Sequence, residues 1–168
     1  MDVPALLARL ERFPAVLDAL LVGTPANDWR WRPPEGGWSL VEVVNHLVDE
    51  EVEDFRVRVR SMLEDPARPW PPLDPEAIVT SRNYQDRDGA ESLRRFREER
   101  ARSMAWLVTV IDGPWANSRL HARVGPIHAG DLMASWAAHD ARHLGQIAKR
   151  LHGLAARDGA PYSVQYAG

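Results

Sequence analysis

The 168-residue chain reads as an all-α protein, a four-helix bundle with long crossing loops. Three observations predict this fold. Four stretches repeat their apolar residues at the three- and four-residue steps of a helix. No stretch of useful length alternates apolar and polar residues as a half-buried strand does. Two long connections interrupt the helical stretches, and helices joined in that way pack as bundles with crossovers. The length suits a single domain, residues 1–168, with chain enough to bury a sizeable core, and no internal repeat is present.

The first helix is expected from about Val3 to Leu21. Leu6, Leu10, Phe13, Leu17 and Leu20 or Leu21 fall on one face. Pro14 lies inside it, which predicts a kink there or a later start, because proline removes a backbone donor. The second helix opens at "WSLVEVVNHL", where Ser39 and Glu42 form a capping box. Its stripe of Val43, Val44, Leu47, Val48, Phe55 and Met62 lasts until Asp65-Pro66. Residues 66–87 hold five of the thirteen prolines and read as a long crossing loop. The third helix starts near Asp88, carries Leu93, Phe96, Met104, Leu107, Val108 and Ile111, and stops at Asp112-Gly113-Pro114. Trp115–Pro126 is short and mixed, in an extended style. The fourth helix is expected from about Ala129 to His152, with Gly153 as its stop, and the tail "PYSVQYAG" has no helical pattern.

Composition excludes several functions. The formal charge is only −3 and the arginines are scattered, so no strip suited to nucleic acid is present. There is no cysteine, hence no disulfide, no thiolate nucleophile and no Cys-ligated zinc; any metal must be held by nitrogen and oxygen. The longest apolar run, "AWLVTVI", falls far short of the ~20 residues a membrane span requires. The N-terminus mixes charges among its leucines, unlike a signal peptide, so a cytoplasmic location is expected.

Chemistry concentrates in "AAHDARHLGQ", residues 137–146. His139 and His143 are four apart, so on a helix they share a side about 6 Å apart, close enough for one ion. The bland alternative is a pair of imidazoles on a solvated face. His46, near the start of the second helix beside Glu42, Glu50 and Glu53, supplies a third ligand if that helix packs on the fourth. The three carboxylates read either as a solvated face or as acceptors for an imidazole N–H. Asp140 points about 100° away from His139, which suits an arginine partner better than a general base. Because a zincin helix needs Glu directly after the first His, "HDARH" does not fit one. His121, His128 and His152 read as surface or helix-end residues, with His128 placed to start the fourth helix. The seven tryptophans read mainly as caps on the ends of the core, with Trp136, Arg142 and Gln146 near the histidine pair.

"GGWSLVEVVNHLVDEEVEDF" together with "HAGDLMASWAAHDARHLGQIAKRL" resembles the DinB-like superfamily of small helical bundles. The likeness spans nearly the whole chain. It is sharpest at Trp38-Ser39 leading into Asn45-His46-Leu47, and at His139-Asp140-x-x-His143-x-x-Gln146. It implies that His46, His139 and His143 hold a divalent metal such as zinc, nickel or iron. It also implies an up-down-down-up bacterial bundle, a homodimer, and a small-molecule substrate. Some members bind a low-molecular-weight thiol such as mycothiol or bacillithiol and transfer it to an electrophile, which would make this chain a metal-dependent thiol S-transferase. The alternatives are a non-catalytic, metal-stabilised or ligand-binding bundle of the stress-response type, and a metal-dependent hydrolase. Catalytic and substrate-binding residues are not assigned.

Overall fold

The structure, a computed structural model, describes residues 1–167. Seven α-helices are present among them: α1 (Val3–Leu21), α2 (Ala26–Arg30), α3 (Leu40–Asp49), α4 (Phe55–Glu64), α5 (Pro75–Ser81), α6 (Gly89–Thr109) and α7 (Ala129–Asp158). α3 and α4 form one long rod joined by a π-helical segment, Glu50–Asp54. A hairpin of β1 (Ser118–His121) and β2 (Gly125–His128) precedes α7, with Ser118 opposite His128 and His121 opposite Gly125. The all-α bundle is therefore borne out, with a small sheet as an addition.

α1 packs against α6 and α7, and the α3–α4 rod packs against the same two helices. The first and second long helices, α1 and the α3–α4 rod, thus stand diagonally across the bundle, as do the third and fourth, α6 and α7. Burial divides the interior into two apolar cores. One gathers Leu17, Leu40, Val44, Phe96 and Ile147. The other gathers Leu7, Val59, Met62, Leu107 and Met133. α1 and α7 enter the second core first, whereas the α3–α4 rod and α6 enter the first, so the helices run up, down, down, up.

Local chemistry explains most boundaries. The Asp2 side chain accepts from Ala5 N at 2.9 Å, and Asp88 accepts from Glu91 N at 2.8 Å, each satisfying an otherwise orphaned donor. The Ser39–Glu42 box forms, with Ser39 N donating to Glu42 Oε2 at 2.8 Å. His128 starts α7 through a reciprocal box with Asp131.

Several expectations are corrected. α1 begins at Val3 and stays helical through Pro14, with no later start, and its buried stripe takes Leu7 in place of Leu6 and, of the two alternatives at its end, Leu21. The proline-rich connection contains α5 and a short 3-10 turn at Tyr84–Asp86, docked by Arg82 on Asp49 and Glu53. Val108 is exposed, and α6 ends at Thr109. Gly153 does not end α7, which continues to Asp158. A Cβ at Gly153 would come within 2.8 Å of the Trp31 ring, so this glycine gives room to an indole.

A belt of buried charge separates the two cores. Arg100, 1% exposed, places all its donors: Nε and Nη2 on Glu51 Oε1 at 2.9 and 2.6 Å, Nη1 and Nη2 on Asp140 at 2.7 and 2.9 Å, and Nη1 on Leu10 O at 2.8 Å. Trp136 Nε1 and Ser103 Oγ also donate to Glu51, each at 2.7 Å. The π segment turns Glu51 inward to meet them. Wide turns of this kind occur mostly as single insertions in α-helices and often lie at functional sites.

Candidate metal centre

The predicted triad converges at the level of that belt. α3 supplies His46, and α7 supplies His139 and His143 one turn apart. Their donor atoms all lie within 4.8 Å of one another. His143 Nε2 is 2.9 Å from His139 Nε2, which is 3.3 Å from His46 Nε2. A tetrahedral zinc with Zn–N bonds of ~2.0–2.1 Å spaces its nitrogens about 3.4 Å apart, so the separations suit one small ion.

Ring orientation suits it as well. His143 Nδ1 donates to Gln146 Oε1 at 2.6 Å, which leaves the Nε2 lone pair facing the other two rings. His46 Nδ1 faces Glu50 Oε1 at 3.6 Å, in the same sense. Nitrogens with lone pairs turned towards one another repel unless a cation stands between them. The donor set therefore fits a divalent metal, and these three histidines are the residues that could hold it.

All three rings stay neutral at pH 7. Burial is the first cause in each case. It lowers His46 to about 3, helped by His143 and Arg142, and His139 to about 2, helped by His143, His46, Arg142 and Arg100. His143 falls to about 4, its bond to Gln146 opposing burial. Burial and the neighbouring Asp54 push Glu50 the other way, to about 8. Burial likewise raises Asp140, to about 6, against the pull of Arg100.

Trp38 lies parallel to the His143 ring at 6.5 Å and tilts against His46 at 4.9 Å; Phe55 meets His139 edge-on at 5.1 Å. These aromatics shield the rings from water on their outer sides. The triad opens into a cleft of about 780 Å³, whose wall includes Gly37, Trp38, Glu50, Arg142, Gln146 and Arg150.

Of the residues expected near the site, Arg142 and Gln146 line this cleft. Trp136 does not: it is buried in the second core, with its N–H on Glu51. Asp140 pairs with Arg100, as its direction on the helix predicts. Glu42 is bound by Arg32 and Ser39, and Glu53 by Arg82, so of the three carboxylates near His46 only Glu50 faces the ring. His121, His128 and His152 stand apart from the cluster. Sequence reasoning missed Trp38 and Arg150 as site residues; Trp38, just before the helix cap and eight residues before His46, was the stronger signal.

A sequence model of the DinB superfamily matches residues 9–147, which include all three histidines. Among solved structures, the chain is similar to YfiT from Bacillus subtilis, with a TM-score of 0.80 and 21% identity over 91% of this chain and 87% of that one. YfiT is described as a "probable metal-dependent hydrolase with an unusual four-helix bundle topology". No curated protein sequence matches the chain.

Proposed function

Because the chain belongs to the DinB superfamily, we propose that His46, His139 and His143 hold a divalent metal, Zn²⁺ or Ni²⁺, and that the protein transfers a low-molecular-weight thiol to a small electrophile. One observation carries this reading: three neutral imidazole nitrogens converge at the floor of an open cleft with room for a small molecule. A divalent ion supplies the positive charge that brings the pKa of a thiol or a water into the neutral range.

The protein's own residues prepare the site for that ion. Gln146 fixes the tautomer of His143, Glu50 faces the Nδ1 of His46, and Trp38 and Phe55 exclude water from the ring faces. Transfer of a thiol needs no strong base from the protein, because an ion held by the triad would itself favour the thiolate. Hydrolysis is the second reading. It is favoured by Glu50, whose partly buried carboxyl lies on the cleft wall and can hold a proton beside the triad, and by the description of YfiT. The homodimer and the cytoplasmic location expected from the sequence belong to the same reading.

The test uses purified protein loaded with Zn²⁺ or Ni²⁺. It is offered a panel of thiols with a chromogenic electrophile, and in parallel a panel of esters and amides. Metal-dependent turnover with thiols is the expected result. Turnover of the esters alone supports hydrolysis, and no turnover, with a large loss of stability on chelation, leaves a structural metal. In stoichiometric titration His143→Ala should lose most of its zinc affinity, since two imidazoles seldom hold a site together. Equal uptake by parent and variant would overturn the triad.

A further inference from the structure

We infer that the cleft takes a small organic anion, whose carboxylate or phosphate is held by Arg150 while its reacting end lies at the triad. The second half of this rests on the proposed function. The first half stands on Arg150 alone.

His139, His143, Gln146 and Arg150 are spaced by four, three and four residues, so they share one face of α7. All four line the cleft. Arg150 lies two turns beyond His143, about 10 Å along the helix axis. It is only 8% exposed, yet its one hydrogen bond among the described residues runs from Nε to Trp38 O, at 2.6 Å. No carboxylate among the described residues forms an ion pair with it, whereas the more deeply buried Arg100 meets two. A guanidinium keeps its charge under any ordinary condition, and the Nη1 and Nη2 ends of Arg150, which are not sealed from solvent, are left to meet a counter-charge in the cleft. Its free N–H groups form a planar fork that matches two oxygens of a carboxylate or phosphate.

Gly37 lies against the tip of this group. Gly37 has φ +98°, and a Cβ there would fall 2.6 Å from Arg150 Nη2. Any other residue would crowd the guanidinium where it borders the cleft. The remaining charges are arranged consistently. Glu50 and Asp54 sit on the π segment beside His46, and Glu76 is exposed and accepts from Trp38 Nε1 at 3.2 Å. Arg32 is taken by Glu42, while Arg142 is exposed and forms no ion pair among the described residues. The cleft thus offers acid beside the triad and unpaired arginine along α7.

Metal-free protein, freed of chelator, is titrated calorimetrically with benzoate, phenyl phosphate and neutral benzyl alcohol. Saturable binding of at least one anion is expected, with benzyl alcohol at least tenfold weaker; the two anions tell a carboxylate from a phosphate preference. Arg150→Gln should weaken the anion at least tenfold and leave zinc uptake at the parent level, which also shows that the variant folds. Arg150→Lys should fall between. Absence of anion preference in the parent, which needs no substitution, would overturn the inference, as would parent-like affinity in a zinc-competent Arg150→Gln. Because no metal is present, anion binding without turnover sinks the enzymatic reading and spares this site. Turnover without anion preference does the reverse.

Discussion

His143 donates one proton, from Nδ1 to Gln146, and that bond decides which edge of the ring faces the cleft. Gln146→Ala is expected to lower zinc affinity about 10–100-fold, the usual effect of losing a partner behind a metal-binding histidine, measured by competition with a chromogenic chelator. The depressed pKa values carry a sign. Near pH 6.5 the unfolded chain takes protons that the folded rings refuse, so metal-free protein loses stability as pH falls from about 6.5 towards about 4. Each ring contributes about 1 kcal/mol per pH unit inside that window, and the raised Glu50 and Asp140 carboxyls, which hold protons in the folded state there, offset part of it; the balance is read from urea midpoints at a series of pH values. A His139→Gln variant should show a shallower loss over the same range, and an equal slope would show that this ring is not buried as described. The triad was legible because helical spacing is visible in a sequence: His139 and His143 announce a shared side, and the Trp-Ser helix start places His46. Arg150 was not legible, since a basic residue on a long helix reads as a solvated face until its missing partner is seen in space.

At the scale of elements, α6 shows how a stripe can mislead. Phe96, Arg100, Ser103 and Leu107 step along one face and are all buried, yet an arginine within an apolar stripe is easily passed over as a surface residue. Arg100→Met leaves Glu51 and Asp140 buried without their cation, and is expected to cost about 3–5 kcal/mol in urea denaturation. The bundle helices themselves were readable from caps and periodicity, as Ser39, Asp88 and His128 confirm. The failures arose where a tertiary contact overrode a local signal. Gly153 looks like a stop but is needed for Trp31. The prolines of residues 66–75 look like a loop, yet Pro75 sits in the first turn of α5, where its missing N–H costs nothing.

For the molecule as a whole, any ion held only by the folded triad stabilises the fold by mass action. Zinc at a hundredfold excess over its Kd adds about 2.7 kcal/mol, which should raise Tm by about 5–10 °C for a chain of this size. The shift is read by calorimetry with and without zinc, and its absence would count against the site. The belt between the two cores has a further mechanical consequence. Purely greasy helices can slide past one another by a turn, about 5.4 Å, and find new neighbours of similar quality. Here such a slip would draw Arg100 away from Glu51 and Asp140 and leave charge stranded in oil, at a cost of several kcal/mol. The belt therefore works as a key in a slot, locking the axial alignment of α1, α6, α7 and the α3–α4 rod. Since His139 adjoins Asp140 on one of those helices, the key that stops the slide also keeps three imidazoles from two helices at a common height.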